Sequence, residues 1–230
     1  GDRLYVPTSD AHIVALDART GRVVWDKPVA DREEGYRMTG GTLVARGKVM
    51  VGTTGRVGGG NYIVALETET GDVAWRFATI AQPGEPFGNS WNGLPVDERN
   101  GGSVWIPGSY DPVNNLVFFA PGNTYDTGPL RDLVSQPGVT NDALYLDATL
   151  ALNPETGEVY WQEPWEAPSA ITVATPVLSD NYLFFTQFYG GSMMLQLDTD
   201  RPDATALWKV AGSGEMADQT EALHSLITTP

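Results

Sequence analysis

Residues 65–75 read Ala-Leu-Glu-Thr-Glu-Thr-Gly-Asp-Val-Ala-Trp, and the frame A-L-x-x-x-T-G-x-V-x-W recurs without a gap at Ala15–Trp25 and Ala151–Trp161. A looser copy runs from Gln196-Leu-Asp-Thr-Asp200 to Ala206-Leu-Trp208. Trp25, Trp75, Trp161 and Trp208 stand 50, 86 and 47 residues apart. A repeat of about 40–50 residues with four strands in each is the pattern of a β-propeller blade. The chain therefore reads as all-β, a propeller of about four antiparallel blades.

The chemistry inside the frame supports that reading. Ile13–Leu16 and Tyr62–Leu66 are short apolar runs suited to a strand buried on both faces. In Asp-x-x-Thr-Gly the acid or amide side chain can accept backbone N–H groups, and glycine supplies positive φ, so the chain turns there. Val-x-Trp then opens an outer strand whose indole can pack between neighbouring blades. A further strand stands ahead of each frame, at Asp2–Val6, Gly47–Val51, Asn115–Phe119 and Asn181–Phe185. No dozen-residue stretch carries helical periodicity.

Composition bounds the partners. The 230 residues include 26 Gly and 16 Pro, which suits short elements and tight turns better than long helices. A net charge of −15 argues against nucleic acid and anionic membrane surfaces, both of which are bound by basic patches. The absence of cysteine removes disulfides, thiolate catalysis and Cys-based zinc sites. No apolar run reaches the length of a membrane-spanning helix. His12 and His224 are isolated, without metal-ligand spacing. Gly55–Gly60 leads into a strand rather than a helix, so it lacks the helix N-terminus a phosphate loop needs. Asp198 and Asp200 read as turn formers.

The 86-residue interval holds two long insertions, Ile80–Asn100 and Asp126–Asn141. Long loops on one face of a rigid scaffold are where binding sites tend to lie. Between them Gly101–Asp126 reads as a hairpin of two strand-like runs, Ser103–Tyr110 and Leu116–Ala120, joined at Asp111–Asn115. Trp105 and Asn123 stand near its ends, an aromatic plane and an amide oxygen for a flat ligand and a metal beside it.

These residues resemble a known family. The T-G-x-V-x-W repeats, with Gly102-Ser-Val-Trp105, Tyr110-Asp-Pro112, Asn115-Leu116 and Gly122-Asn123, are similar to the pyrroloquinoline quinone (PQQ) dependent alcohol and methanol dehydrogenases, periplasmic eight-blade propellers. The likeness covers residues 1–161. From residue 162 to 230 the chain resembles the wider set of PQQ-like-repeat propellers, including cofactor-free ones. The resemblance implies that Trp105 lies flat under the quinone and that the Asn123 oxygen binds Ca²⁺. It also implies that Thr39, Thr54 and Gly55 hold the cofactor's carboxylates and carbonyls. A hard, oxygen-ligated cation would polarise the quinone, and a carboxylate would take the alcohol's proton. A small alcohol substrate, a cytochrome c acceptor and a periplasmic location follow from the same resemblance.

Departures from the family pattern are specific. Arg56-Val57 stands where the calcium-binding glutamate belongs, and no Glu occurs from Arg56 to Ile63. Gln162-Glu-Pro-Trp-Glu166 replaces the segment carrying the catalytic aspartate, and Glu166 is no more than a carboxylate in that neighbourhood. Two alternatives stand beside the enzyme: a cofactor-free propeller serving as a protein-binding scaffold in the cell envelope, and a sugar-binding propeller using Trp91 and Trp165. The termini read as two parts of one shared blade closing a four-blade ring, or as edges of a larger propeller of which this length is roughly half.

Overall fold

A computed structural model describes residues 2–164, 175–187 and 190–210. Its strands form four antiparallel meanders in which neighbours in sequence are neighbours in the sheet. The first blade holds β1 (Arg3–Pro7), β2 (His12–Asp17) and β3 (Val23–Pro28). The second holds β4 (Leu43–Ala45), β5 (Lys48–Gly52), β6 (Tyr62–Glu67) and β7 (Val73–Ala78). The third holds β8 (Ser109–Asp111), β9 (Leu116–Phe119), β10 (Ala148–Leu152) and β11 (Val159–Pro164). The fourth holds β12 (Val177–Ser179), β13 (Tyr182–Gln187), β14 (Gly191–Leu197) and β15 (Ala204–Val210). Two single 3-10 turns, Val96–Glu98 and Gly128–Leu130, are the helical pieces among the described residues. Leu226–Pro230, expected as a blade's first strand, lies outside the described residues, as do Trp165, Glu166 and His224.

The core lies between blades. Along β6 the side chains alternate, so Val64 and Leu66 pack with Ile13, Ala15 and Trp25 of the first blade. Ile63 and Ala65 of the same strand pack with Val117, Phe119, Leu150 and Leu152 of the third. A strand covered on both faces must be apolar at every position, which is why these runs lack polar alternation. Leu116, Phe118 and Ala151 meet Leu183, Phe185, Met193 and Leu195 in the third such layer. The first strand of the third blade, β8, adjoins both β4 and β12, so the short strands gather on the inner side of the array.

The first two frames each supply a latch to the next blade. In the first turn, Asp17 Oδ1 accepts from the Thr20 N–H (2.8 Å) and hydroxyl (2.7 Å), while Gly21, Gly71 and Gly157 all sit at φ between 70° and 75°. Trp25 Nε1 donates to Thr68 O (3.1 Å), and Trp75 Nε1 donates to Pro154 O (3.0 Å). The rings lie against the next blade's glycine: a Cβ on Gly71 would stand 2.8 Å from Trp25, and one on Gly157 2.7 Å from Trp75. The fourth blade turns instead through Asp198–Asp203, where Asp198 Oδ1 accepts from Asp200 N (2.9 Å). Trp161 packs at a tilt against Phe118 (5.7 Å between centroids), and its Nε1 is buried without a hydrogen-bond partner among the described residues.

Strand direction sorts the loops. The Thr-Gly turns emerge at one end of the blades. In the four-stranded blades the loops between second and third strands, and the connections from one blade to the next, emerge at the other. Both long insertions are at that second end.

The hairpin expected at residues 103–120 is shorter than the sequence suggests. Strand pairing is confined to Ser109–Asp111 with Leu116–Phe118. Gly101 and Gly102 adopt φ of 110° and 66°, and Pro107 has no N–H to give. Residues 101–105 bond to other loops instead: Val104 N to Thr53 O (3.0 Å) and Gly122 N to Ser103 O (2.9 Å). The turn itself follows expectation, with Asp111 Oδ1 accepting from Val113 N (2.8 Å) and Asn115 at φ 56°.

The latch makes a paired prediction. Gly21 and Gly157 share the same backbone conformation, but a Cβ at Gly21 meets nothing within 4 Å, whereas one at Gly157 meets the Trp75 ring. Gly21→Ala carries the positive-φ cost alone, about 1–2 kcal/mol, and Gly157→Ala adds an overpacking cost of about 1–3 kcal/mol. Urea unfolding of the two variants should place Gly157→Ala clearly below Gly21→Ala.

Candidate functional site

The second-end loops of the second and third blades meet around one buried amide. Asn61, 1% exposed at the start of β6, donates through Nδ2 to Gly101 O (2.7 Å), Gly55 O (2.9 Å) and Ser103 Oγ (3.3 Å), and its Oδ1 accepts from Thr53 Oγ1 (3.2 Å). Thr79 Oγ1 donates to Asn61 O and to Gly102 O (2.8 Å each). Ser103 also accepts from Gly55 N (3.4 Å) and bonds the Tyr125 hydroxyl. These contacts bring residues 53–61, 101–105 and 122–125 into one surface.

The sequence-predicted residues are distributed over that surface unequally. Trp105 is half-buried in the irregular segment before β8, outside the latch frame. Its backbone is closely approached by Gly40, where a Cβ would stand 2.7 Å from Trp105 O, and its six-membered ring lies 3.9 Å from a Cβ position on Gly122. Thr39, beside Gly40, is exposed. Thr54 is buried, and its hydroxyl donates to Arg37 O (3.3 Å), the residue with which it forms an isolated bridge. Gly55, at φ 142°, fits closely against the Gly35 backbone. Asn123 Nδ2 donates to Thr124 O (2.7 Å), and its backbone O accepts from Gly102 N (3.3 Å).

The Arg56 guanidinium lies over the Tyr125 ring, 5.2 Å from its centroid. A cavity of about 270 Å³ is lined by Arg56, Tyr125, Asn100, Asp97, Glu98 and Asp126. Calcium takes six to eight oxygen ligands, with carboxylates among them. Asn123 offers one amide oxygen, and among the described residues no three His, Asp or Glu side chains could hold a metal ion. The donor set does not fit calcium.

Trp91, expected as an exposed sugar platform, is instead 1% exposed in the core and donates Nε1 to Leu144 O (2.6 Å). That corrects the sugar-binding alternative at this position. Two structural residues were not singled out by the sequence. Asn61 is one. The other is Arg99, 3% exposed, which pins residues 80–100 by donating to Leu94 O (2.9 Å), Gly88 O (3.0 Å) and Ala81 O. Desolvation lowers its pKa, yet its partners are all carbonyls. His12 pairs with Asp26 (2.7 Å) on the first blade, away from this surface.

Asp147 closes the long β9–β10 connection. Its Oδ1 is buried without a partner, and burial raises its pKa from 3.8 to about 7. Between those values the folded chain keeps a proton that the unfolded chain has lost. Stability should therefore fall as pH rises from about 4 to 7, by at most about 1.4 kcal/mol per pH unit. Asp147→Asn should flatten that dependence in urea unfolding across this range. Separately, Asn61→Ala strands the Gly101 and Gly55 carbonyls in the interior and should cost about 2–3 kcal/mol. Hydrogen exchange should locate the loosened amides at residues 101–105.

Comparison with known proteins gives the chain its relatives. The family described as outer membrane protein assembly factor BamB matches residues 1–109. Quinohemoprotein alcohol dehydrogenase ADH IIB of Pseudomonas putida is 35% identical over 174 residues, 70% of this chain and 24% of the relative. The dehydrogenase subunit of the quinone alcohol dehydrogenase of Gluconobacter oxydans is 30% identical over 201 residues, 75% of this chain and 26% of the relative. The chain thus spans about a quarter of the length of these curated relatives. The structure of quinohemoprotein alcohol dehydrogenase ADHIIG from Pseudomonas putida HK5 superposes with a TM-score of 0.68 at 26% identity, covering 97% of this chain and 36% of that one. A europium-containing methanol dehydrogenase shares the fold, with a TM-score of 0.70 at 22% identity over 97% of this chain and 43% of that one. By repeat, by sequence and by fold, the chain is a homologue of the quinoprotein alcohol dehydrogenases, built from the PQQ-like repeats of their propeller.

Proposed function

We propose that this chain forms the quinone-binding part of a protein that oxidises a small alcohol with PQQ. The observation that carries the reading is Trp105, an aromatic plane held out of the blade-latching frame, at the surface where the second and third blades meet. Homology to quinoprotein alcohol dehydrogenases supports it.

When bound, PQQ would supply a carbonyl to accept one hydride equivalent, that is two electrons and a proton, from the alcohol carbon, the hydroxyl proton being released separately. The chain's own residues bind and orient. Trp105 stacks against the ring system, held at its backbone by Gly40 and with its edge set against Gly122. Thr39 offers an exposed hydroxyl beside that plane. Thr54 and Gly55 act through backbone position, since the Thr54 hydroxyl is already bonded to Arg37 O. Asn123 contributes an amide whose Nδ2 is already bonded to Thr124 O. No step is routed through calcium, and no described residue is assigned as the base. A cytochrome c acceptor and a periplasmic site of action belong to the same proposal.

A cofactor-free scaffold is the second reading, favoured by the match of residues 1–109 to an outer membrane assembly factor family. Quenching of tryptophan fluorescence on addition of PQQ separates the two. The enzyme reading expects saturable binding that weakens about three- to tenfold in Trp105→Ala, the worth of one aromatic stack. No saturable quenching up to tens of micromolar PQQ would leave the scaffold reading.

A further inference from the structure

A larger cavity, of about 620 Å³, lies between the outer strands of the second and third blades, β7 and β11, and none of the quinone-site residues lines it. Its volume is that of a small-molecule site. Four aromatic rings form its walls: Phe77 of β7, Phe87 of the first insertion, Tyr145 just before β10, and Tyr160 of β11. Three of them meet at steep angles. Phe77 and Tyr145 are 5.2 Å apart at 53°, and Tyr145 and Phe87 are 6.3 Å apart at 83°, so the rings make a corner rather than a stack. Phe87 is the anomaly of the group. It is 55% exposed and stands at φ 66°, a conformation that bulky side chains rarely adopt. Outlying backbone conformations gather at binding sites, where the surroundings impose them.

Charge selects the ligand. The Glu85 and Glu158 carboxylates line the same cavity, and neither is neutralised by an ion pair among the described residues. Gln162 also lines it, and its Oε1 is buried without a hydrogen-bond partner among the described residues. Arg76 borders the cavity, but its guanidinium is already engaged: it lies over the Tyr62 ring, 5.1 Å from the centroid, and donates to Val29 O (3.1 Å). Burial first, and then the Glu85 carboxylate, raise the Tyr145 phenol above its ordinary pKa, so the field of that acid reaches the aromatic wall. An aromatic face carries negative potential and attracts a cation placed within about 6 Å of its centroid. Two carboxylates repel an anion and give a neutral molecule no comparable gain. We propose that this cavity binds a small organic ammonium ion, with the alkylated nitrogen in the Phe77–Tyr145–Phe87 corner, Glu85 and Glu158 as counter-charge, and the Gln162 oxygen left for a donor group on the same ion. The proposal does not depend on the quinone reading.

The test titrates choline and its neutral carbon isostere, dimethylbutanol, into the full chain by calorimetry at low and at high salt. Choline should bind about tenfold more tightly, the worth of a desolvated cation held against aromatic faces. That preference should shrink as salt screens the two carboxylates. Phe87→Leu keeps the apolar bulk and removes the ring, so it should weaken choline about three- to tenfold and leave dimethylbutanol unchanged. Glu85→Gln should weaken choline about threefold, the worth of an exposed charge pair. Both side chains are exposed, so circular dichroism should find the variants folded like the wild type. Equal affinities for choline and dimethylbutanol overturn the proposal. So does an absence of saturable choline binding up to tens of millimolar, or a preference for choline that survives in Phe87→Leu. Attachment to phosphatidylcholine vesicles without binding of free choline also overturns it, because the ion would then be a lipid headgroup at a membrane surface.

Discussion

An indole N–H reaching across to a carbonyl of the next blade is the contact on which the rest of this array depends. Trp75 makes it to Pro154, and Trp25 makes it to Thr68. A propeller blade is a twisted meander with two apolar faces, and neither can be left in water. Side-chain layers alone would let neighbouring sheets slide, because hydrophobic burial is non-directional. The hydrogen bond, and the glycine that admits the ring beside it, fix how far along and at what angle the blades meet. The frame that makes the turn also makes the socket, so one eleven-residue phrase encodes both the fold of a blade and its placement.

Fixing one end of the blades releases the other. With the Thr-Gly turns committed to latching, the opposite ends are free to carry long connections, and the candidate site is made of these. Its cohesion is of a different kind. Few side chains there pair with each other. Asn61 and Thr79 bond chiefly to backbone groups, among them Gly101 O and Gly102 O, while Ser103 ties the Asn61 and Tyr125 side chains together. Glycines at residues 40, 55, 101 and 102 allow those backbones to approach. The result is a surface whose shape is set by main chain, with Trp105, Asn123 and Arg56 projecting from a defined frame.

The blades were legible in the sequence because their signals are local. The turn acid, the positive-φ glycine and the tryptophan lie within eleven residues, and the apolar third strands follow directly. The site was legible only in part. Trp105 could be singled out because it breaks the latch frame. Residues 103–108 look strand-like by composition, yet their backbone partners are in another blade's loop, which no local pattern reveals. Trp91 reads as exposed in a Pro- and Gly-rich loop, but that loop folds over the core and buries it. Asn61 and Arg99 escaped notice because their partners are carbonyls, and every residue has one.

The seams between blades are not equivalent. Trp161 faces a turn without the Thr-Gly socket, and its indole N–H is left buried and unanswered. In an array where contacts are almost entirely between nearest neighbours, stability is approximately a sum of units and interfaces, so opening begins at the weakest interface. Here that is the seam between the third and fourth blades, where Ser109 Oγ donates to Pro176 O but, among the described residues, no indole latch is made. The loops that carry Trp105, Asn123 and Arg56 belong to the second and third blades, on the latched side. Partial opening of the array would thus separate the fourth blade first and leave the second and third blades joined, dividing the molecule into a persistent part and a yielding edge.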